Sequence, residues 1–226
     1  MLIQERFVVF EGKKYYVNEY PNYTFPILEM ELTGVSNIEE IEGLDQLEDL
    51  VVLILRDNEI VEIKGLEELP NLRFLHLDCN KIREIKGLEH LLKLESLDLE
   101  INQITEIKGL ENLTNLEQLH LSYNKIKEIK GLENLRKIKE LNLNCNQITE
   151  IKGLDSLECL ESLQLANNKI TEIKNLENLS ALKQIYLSNN KIPLEILEKC
   201  RDTSQIWTSI ISLDAQKCVA YCKKKK

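Results

Sequence analysis

The sequence has few aromatic residues, few prolines and glycines, and no excess of positive charge. Of its 226 residues 5% are aromatic, with four prolines, eight glycines and a formal net charge of −9. An acidic chain lacks the basic field of a general nucleic-acid binder, so nucleic acid is not an expected partner. No apolar run approaches the roughly 18 residues of a membrane span. The start, Met1-Leu2-Ile3-Gln4, lacks the basic-then-apolar order of a signal peptide, which predicts a cytoplasmic protein.

Motifs of catalysis and of metal binding are also absent. The sequence has no Gly-x-Ser-x-Gly, no phosphate-binding glycine loop and no His-Glu-x-x-His. Its six cysteines include no Cys-x-x-Cys pair and no zinc-type spacing. We therefore expect a protein that is not an enzyme and needs no cofactor, with free thiols that pack as small apolar groups.

One asparagine recurs every 22 residues along most of the chain, at positions 58, 80, 102, 124, 146, 168 and 190. A fixed period in this range is the signature of a solenoid, in which each repeat forms one coil. The Leu-x-Leu of each copy, such as Leu97 and Leu99, has the period of a β-strand. The Ile-x-x-Ile-x-x-Leu-x-x-Leu that follows has a period of three, which is typical of 3₁₀ turns. Each copy is therefore predicted to form a strand and a short helical return.

The conserved polar positions of the repeat fit such a coil. A buried asparagine is unfavourable without hydrogen-bond partners, so the recurring residue predicts a ladder of amides bonded to the backbone of successive coils. Six of the eight glycines share one repeat position, and the next copy has Asn175 there. Glycine replaced by asparagine predicts a positive φ at that position.

The repeat Leu-x-x-Leu-x-Leu-x-x-Asn-x-Ile-x-x-Ile-x-x-Leu-x-x-Leu resembles the leucine-rich repeat over about residues 27–192. It is similar to the 22-residue subclass, typified by a regulatory subunit of type-1 protein phosphatase and found also in bacterial internalins. The resemblance implies an α/β solenoid: a right-handed horseshoe of about eight coils, with a parallel inner β-sheet and a 3₁₀ or irregular convex side. In the degenerate first copy we align Ile27, Met30 and Leu32 with the strand leucines.

The two ends of the chain differ from the repeat and predict caps. Residues 1–26 hold seven of the twelve aromatic residues and two β-rich runs around Glu11-Gly12, which predicts a β-hairpin cap. Residues 193–226 predict a helical cap with a basic tail. Its helices are expected at 194–200 and 213–221, with Asp214 as an N-cap and with Trp207 and Ile211 among the residues that close the last coil.

Functional residues are expected where the copies differ and the strand side chains face away from the core. The early strands offer apolar side chains there, the middle strands carboxylates and the last strand a tyrosine. Exposed apolar residues beside charge indicate a protein interface, and the acidic middle predicts a partner with a basic surface. The predicted partner-binding residues are Val52, Ile54, Arg56, Phe74, His76, Asp78, Asp98, Glu100, His120 and Tyr186.

The leading hypothesis is thus a monomeric, non-enzymatic scaffold that binds a protein on the concave face, as a regulatory or adaptor subunit. One alternative is a metal- or ligand-binding module that uses the column His76, Asp98 and His120, with Asp78 or Glu100 as a further ligand. Ordinary His–Asp hydrogen bonding would explain the same column. The other alternative is a secreted recognition protein of internalin type.

Overall fold

Each predicted coil contributes one short strand to a single parallel sheet. The structure is a computed structural model that describes residues 6–17, 26–29, 34–201 and 213–224. Eight strands follow one another in the sheet in sequence order, and neighbouring strands pair in parallel. An antiparallel pair precedes them, so that the strands in chain order are β1 Phe7–Phe10, β2 Lys13–Tyr16, β3 Ile27–Glu29, β4 Val52–Ile54, β5 Phe74–His76, β6 Ser96–Asp98, β7 Gln118–His120, β8 Glu140–Asn142, β9 Ser162–Gln164 and β10 Gln184–Tyr186.

The core is one continuous column of aliphatic side chains. Leu97 and Leu99 of one coil, and the residues equivalent to them in the coils on either side, are fully buried. The three-residue spacing of the return also points one side chain per turn inward, as at Ile104, Ile107 and Leu110. The solenoid predicted from the repeat is therefore confirmed, with the parallel sheet on one side of this core.

The asparagine ladder is formed as expected. The side-chain oxygen of Asn102 accepts from the N–H of Ile82 at 2.9 Å, and its amide donates to the carbonyls of Leu77 at 3.0 Å and Leu99 at 3.2 Å. The same three kinds of bond recur at Asn80, Asn124, Asn146, Asn168 and Asn190. Because each amide bonds its own coil and the preceding one, the ladder fixes the distance between successive coils.

The return side is more irregular than a helix. Two 3₁₀ helices, Ile38–Glu40 and Leu44–Gln46, lie in the first coil. In later coils the period of three appears as separate turns, as in the bond from the N–H of Leu116 to the carbonyl of Leu113 at 2.9 Å. Exposed ion pairs run along this side between and within coils, and such pairs contribute little individually; they are Lys64–Glu62, Lys86–Glu62, Lys108–Glu84, Lys130–Glu106, Lys152–Glu128 and Lys174–Glu150.

The first coil corrects one part of the sequence alignment. Leu28, which is fully buried, pairs with Leu53, whereas the alignment placed Met30 at that position. The first copy is longer at this point, since ten positions separate Leu28 from Ile38 and seven separate Leu53 from Ile60. Several predictions lie outside the described residues, namely those for Met30, Leu32, Trp207, Ile211 and the last two lysines.

A β-hairpin covers the N-terminal end of the core. Strands β1 and β2 pair antiparallel, and Val9 exchanges two backbone hydrogen bonds of 2.9 Å with Glu42 of the first coil. Val8 and Phe10 are buried against this coil, and Arg6 forms an ion pair with Asp49. The hairpin thus shields apolar surface that the first coil would otherwise expose to water.

Two helices pack at the other end, α1 (Leu194–Lys199) and α2 (Ala215–Lys224). Asp214 caps α2 as predicted, since its carboxylate accepts from the N–H of Lys217 at 3.0 Å. Cys200 and Cys218 are fully buried, and their hydrogen bond together with burial raises the pKa of the Cys218 thiol. Among the described residues, no helix is long and apolar enough to cross a membrane.

Candidate binding face

The outward face of the sheet consists of the strand side chains that point away from the core. Strand alternation buries Leu75 and Leu97 and turns His76 and Asp98 outward on neighbouring strands. The parallel register places these two residues directly opposite each other. The sequence-predicted columns therefore come together on one surface, as their spacing requires.

The apolar residues predicted for this face differ in accessibility. Tyr186 is 48% exposed, while Ile54 and Phe74 are half-buried. Val52 is only 8% exposed, because Ile27 and Phe74 flank it in register on the two neighbouring strands. The expectation of an accessible apolar side chain at Val52 is therefore wrong, and a role in partner binding for the others stays a prediction.

The middle of the face carries the carboxylates of Asp78, Asp98 and Glu100, and the exposed Arg56 offsets their charge only in part, since the pKa of Asp78 is raised despite it. Among the described residues, no lysine or arginine forms an ion pair with Asp78, Asp98 or Glu100. Glu100 accepts instead from the amide of Asn142 at 2.6 Å. The column that precedes the strands differs, since its carboxylates pair with cations one coil away, as Arg73–Glu95, Lys139–Glu117 and Lys183–Glu161 do.

The two histidines of the column His76, Asp98 and His120 have different surroundings. The Nδ1 of His120 lies 3.9 Å from Asp98 Oδ2, and its Nε2 lies 3.8 Å from Glu140 Oε1. His76 instead shares a small cluster with Asp78 and Asp98, in which one potential ligand atom from each residue lies within 4.8 Å of the others. The sequence placed His76, Asp98 and His120 in one candidate metal site, whereas the structure groups His76 with the two aspartates.

A further column of equivalent residues borders the outward face and was missed in the sequence. It consists of the residue before each ladder asparagine, and we call it the left-handed column because every member has φ between 51° and 57°: Asp57, Cys79, Ile101, Tyr123, Cys145, Asn167 and Asn189. The signal was present in the sequence, because asparagine and aspartate at three of seven equivalent positions are typical of left-handed backbone.

Two members of the left-handed column are exposed and apolar. Ile101 is 49% exposed and Tyr123 is 59% exposed, and they occupy equivalent positions in neighbouring coils. A backbone hydrogen bond of 2.9 Å from the N–H of Ile101 to Ser122 joins the two coils at this point. Ile101 and Tyr123, which we call the apolar patch, thus place two exposed side chains at equivalent positions of neighbouring coils, and Ile101 directly follows Glu100.

Neither residue is favoured at its position by the fold. A left-handed conformation costs an L-residue about 1–2 kcal/mol, and a β-branched residue such as Ile101 is a genuine outlier there. Asp57 and Asn167 show that the same turn forms with residues that tolerate this conformation. Backbone strain combined with exposed apolar surface is the pattern of a residue retained for function.

One thiol of the left-handed column, that of Cys79, is a poor nucleophile. Burial, with a hydrogen bond to Asp57, raises the pKa of Cys79 to about 11, so this thiol is protonated at neutral pH. Cys145 hydrogen-bonds Tyr123, which together with the charge on Glu100 raises the pKa of the tyrosine. Both groups thus present neutral side chains to a partner.

Solved structures of bacterial internalins resemble most of this fold. An internalin (inlF) from Listeria monocytogenes is 32% identical, with a TM-score of 0.63 over 70% of this chain and 46% of its own. Internalin C2 (inlC2) from the same species is 29% identical, with a TM-score of 0.65 over 74% of this chain and 73% of its own. The functional domain of InlJ, also from this species and described as including a cysteine ladder, is 20% identical and shares the fold, with a TM-score of 0.56 over 66% of this chain and 37% of its own.

The chain therefore spans less than half the length of the inlF structure, and 73% of inlC2. A search of curated protein sequences found no match. The family model described as Leucine Rich repeats (2 copies) matches residues 48–90, 92–130, 114–156 and 160–199, which together cover more than half of the chain. The buried leucines, the asparagine ladder and this match agree that the chain belongs to the leucine-rich repeat family.

Proposed function

We propose that this protein is a non-enzymatic scaffold that binds a partner protein on the outward face of its sheet. The observation that carries the proposal is the exposed apolar patch of Ile101 and Tyr123, held in strained backbone beside Glu100, with which no lysine or arginine of the described residues forms an ion pair. Exposed apolar residues bordered by charge are typical of interfaces. The partner site therefore extends from the predicted columns onto the left-handed column.

The chemistry of this face favours a particular kind of partner. An apolar side chain of the partner would pack on Ile101 and Tyr123, and a lysine or arginine next to it would face Glu100 and Asp98. The attraction between opposite charges would increase the association rate and set the orientation. A strongly acidic partner would be repelled by the same carboxylates.

The scaffold would bind with little loss of conformational entropy. Its strands are fixed by the sheet and by the asparagine ladder before a partner arrives, so few main-chain degrees of freedom are lost on binding. Such rigid presentation needs no chemical step, which is consistent with a protein that is not an enzyme. We further propose a regulatory or adaptor role, as a monomer in the cytoplasm.

Similarity to internalins supports a second candidate, a secreted recognition protein. The identity of 32% carries limited functional weight, because the fold itself prescribes nine of the 22 positions in each coil (three strand leucines, the ladder asparagine, two isoleucines, the glycine and two return leucines). Detection of the native protein with an antibody, in cell extract and in medium separately, distinguishes the two. Recovery from the medium would contradict the cytoplasmic scaffold.

The strained patch leads to a prediction that separates binding from folding. Ile101→Asn is expected to abolish partner capture and also to raise the free energy of unfolding by roughly 0.5–1 kcal/mol. The gain arises because asparagine tolerates the left-handed conformation, and this relief exceeds the apolar burial that a half-exposed side chain loses. Affinity capture with quantitative mass spectrometry measures the first effect, and urea denaturation measures the second.

Leu92 provides a matched control for this experiment. It is 54% exposed, lies on the return side and is not among the residues with positive φ. Leu92→Asn should therefore recover the same proteins as the wild type and should not be stabilised. If wild type, Ile101→Asn and Leu92→Asn all recover the same proteins in equal amounts, the patch is not the binding site.

A further inference from the structure

The cluster formed by His76, Asp78 and Asp98 has the geometry of a partly assembled metal site. His76 ends strand β5 and Asp98 ends strand β6, directly opposite in the parallel register. Asp78 lies two residues after His76, so that it projects on the same face. One potential ligand atom from each residue lies within 4.8 Å of the other two, and all three side chains are half-buried.

The protein itself does little to balance this cluster. Among the described residues, no hydrogen bond joins the three side chains and no lysine or arginine pairs with either aspartate. The Oδ1 of Asp98 accepts from the backbone N–H of Glu100 at 3.0 Å, which fixes the carboxylate and leaves Oδ2 free of that bond. Burial and the charge of Asp98 raise the pKa of Asp78, while the positive charge of Arg56 opposes this rise.

We propose that His76, Asp78 and Asp98 bind one divalent transition-metal ion of the zinc class on the outward face. Imidazole nitrogen with carboxylate oxygen is a donor set that such ions accept, whereas Ca²⁺ requires six to eight oxygens. Two ligand atoms that each lie about 2.1 Å from a tetrahedral ion are roughly 3.4 Å from each other. Small rotations of the three side chains would shorten the present separations of up to 4.8 Å to this distance. Three protein ligands leave a fourth position for water or for a partner's side chain.

The ion would change the surface as well as occupy it. Two aspartate charges would be balanced by the two positive charges of the ion, so the middle of the outward face would lose most of its negative potential. The carboxylate of Glu100 would remain as the acidic group next to the apolar patch. This inference does not depend on the scaffold proposal. The capture experiments of that proposal are run in the presence of EDTA, so that metal binding does not affect their outcome.

The test uses the full chain, freed of metal with EDTA and then transferred to EDTA-free buffer. Titration with Zn²⁺ alone, followed by calorimetry, is expected to give one site per chain and a higher melting temperature. His76→Ala and Asp78→Asn should each weaken this site at least tenfold. His120→Ala is the matched control on the same column, and it should change the affinity less than twofold.

Cobalt provides an independent readout, because thiolates are zinc ligands in general and the chain has six free cysteines. Co²⁺ at the proposed site should give visible d–d absorption without the thiolate-to-cobalt charge transfer that sulfur ligands produce. Circular dichroism before titration verifies that the variants are folded. The absence of stoichiometric binding, thiolate charge transfer at one equivalent, or a loss of affinity in His120→Ala equal to that in His76→Ala would each overturn the proposal.

Discussion

Replacing Asn102 with alanine is expected to lower the free energy of unfolding by about 2–4 kcal/mol. The substitution leaves the N–H of Ile82 in the core without a partner. It also removes one of the two amide bonds that each of the carbonyls of Leu77 and Leu99 accepts, since Asn80 and Asn124 still donate to them. Each buried polar group deprived of a hydrogen bond costs about 1–3 kcal/mol. Urea denaturation followed by circular dichroism measures the change, as a lower midpoint with an unchanged slope.

Asn112 is the control for this prediction. It is exposed on the return side, and its amide makes a long bond of 3.4 Å to the carbonyl of Glu89. Asn112→Ala is therefore expected to change the free energy of unfolding by less than about 0.5 kcal/mol. Equal losses in Asn102→Ala and Asn112→Ala would show that the ladder does not stabilise the solenoid.

The second large effect is expected at the glycine of the return. A Cβ added at Gly131 would lie 2.5 Å from the carbonyl oxygen of Ile107 in the preceding coil, and φ is +74°. Alanine at Gly131 must therefore both adopt a left-handed backbone and push two coils apart. We expect a loss of about 3 kcal/mol or more in the free energy of unfolding, measured by denaturation.

Gly43 separates these two causes. Its φ is +84°, but the nearest atom to an added Cβ is the carbonyl oxygen of Phe7 at 3.8 Å. Gly43→Ala should therefore lose only the conformational part, about 1 kcal/mol. A loss at Gly43 as large as that at Gly131 would assign the whole effect to backbone conformation and none to the close approach of coils.

Asn175 shows how the chain itself replaces this glycine. It has φ of 57°, and its amide donates to the carbonyl of Ile151 at 2.6 Å, which is the type of carbonyl that a Cβ crowds in other coils. The asparagine thus offsets part of the crowding with a hydrogen bond. This substitution, read from the sequence as a sign of positive φ, is confirmed in conformation by the structure.

Much of the fold could be predicted because the repeat supplies its own internal alignment. Leu97 and Leu99 have the period of a strand and Asn102 has to be bonded when buried, so strands, core and ladder follow from spacing alone. The alignment was wrong in the first coil, where the copy differs most from the others: Leu28, and not Met30, is the residue equivalent to Leu53. The predicted exposure of Val52 was wrong for a related reason, because the burial of this side chain depends on residues of the neighbouring strands and not on its own repeat.

The candidate sites were less predictable, since they depend on backbone conformation and side-chain direction. The strain at Ile101 arises from a turn whose left-handed geometry is visible only when the equivalent Asp57 and Asn167 are compared with it. His76, Asp98 and His120 point outward as strand spacing predicts, but spacing could not decide that Asp78, and not His120, lies with His76. The rotation of each side chain about its χ angles decides that choice.

The asparagine ladder also determines how such a protein can change in length. Each rung bonds only within its own coil and to the coil before it, over sequence separations of at most 25 residues. Removal of one complete period, such as residues 103–124, would leave Asn102 followed by a return equivalent to the one it lost, with every remaining rung intact. Recombination between copies of the repeat would thus shorten or extend the sheet by whole coils. A deletion whose length is not a multiple of 22 residues would instead separate one ladder asparagine from its hydrogen-bond partners.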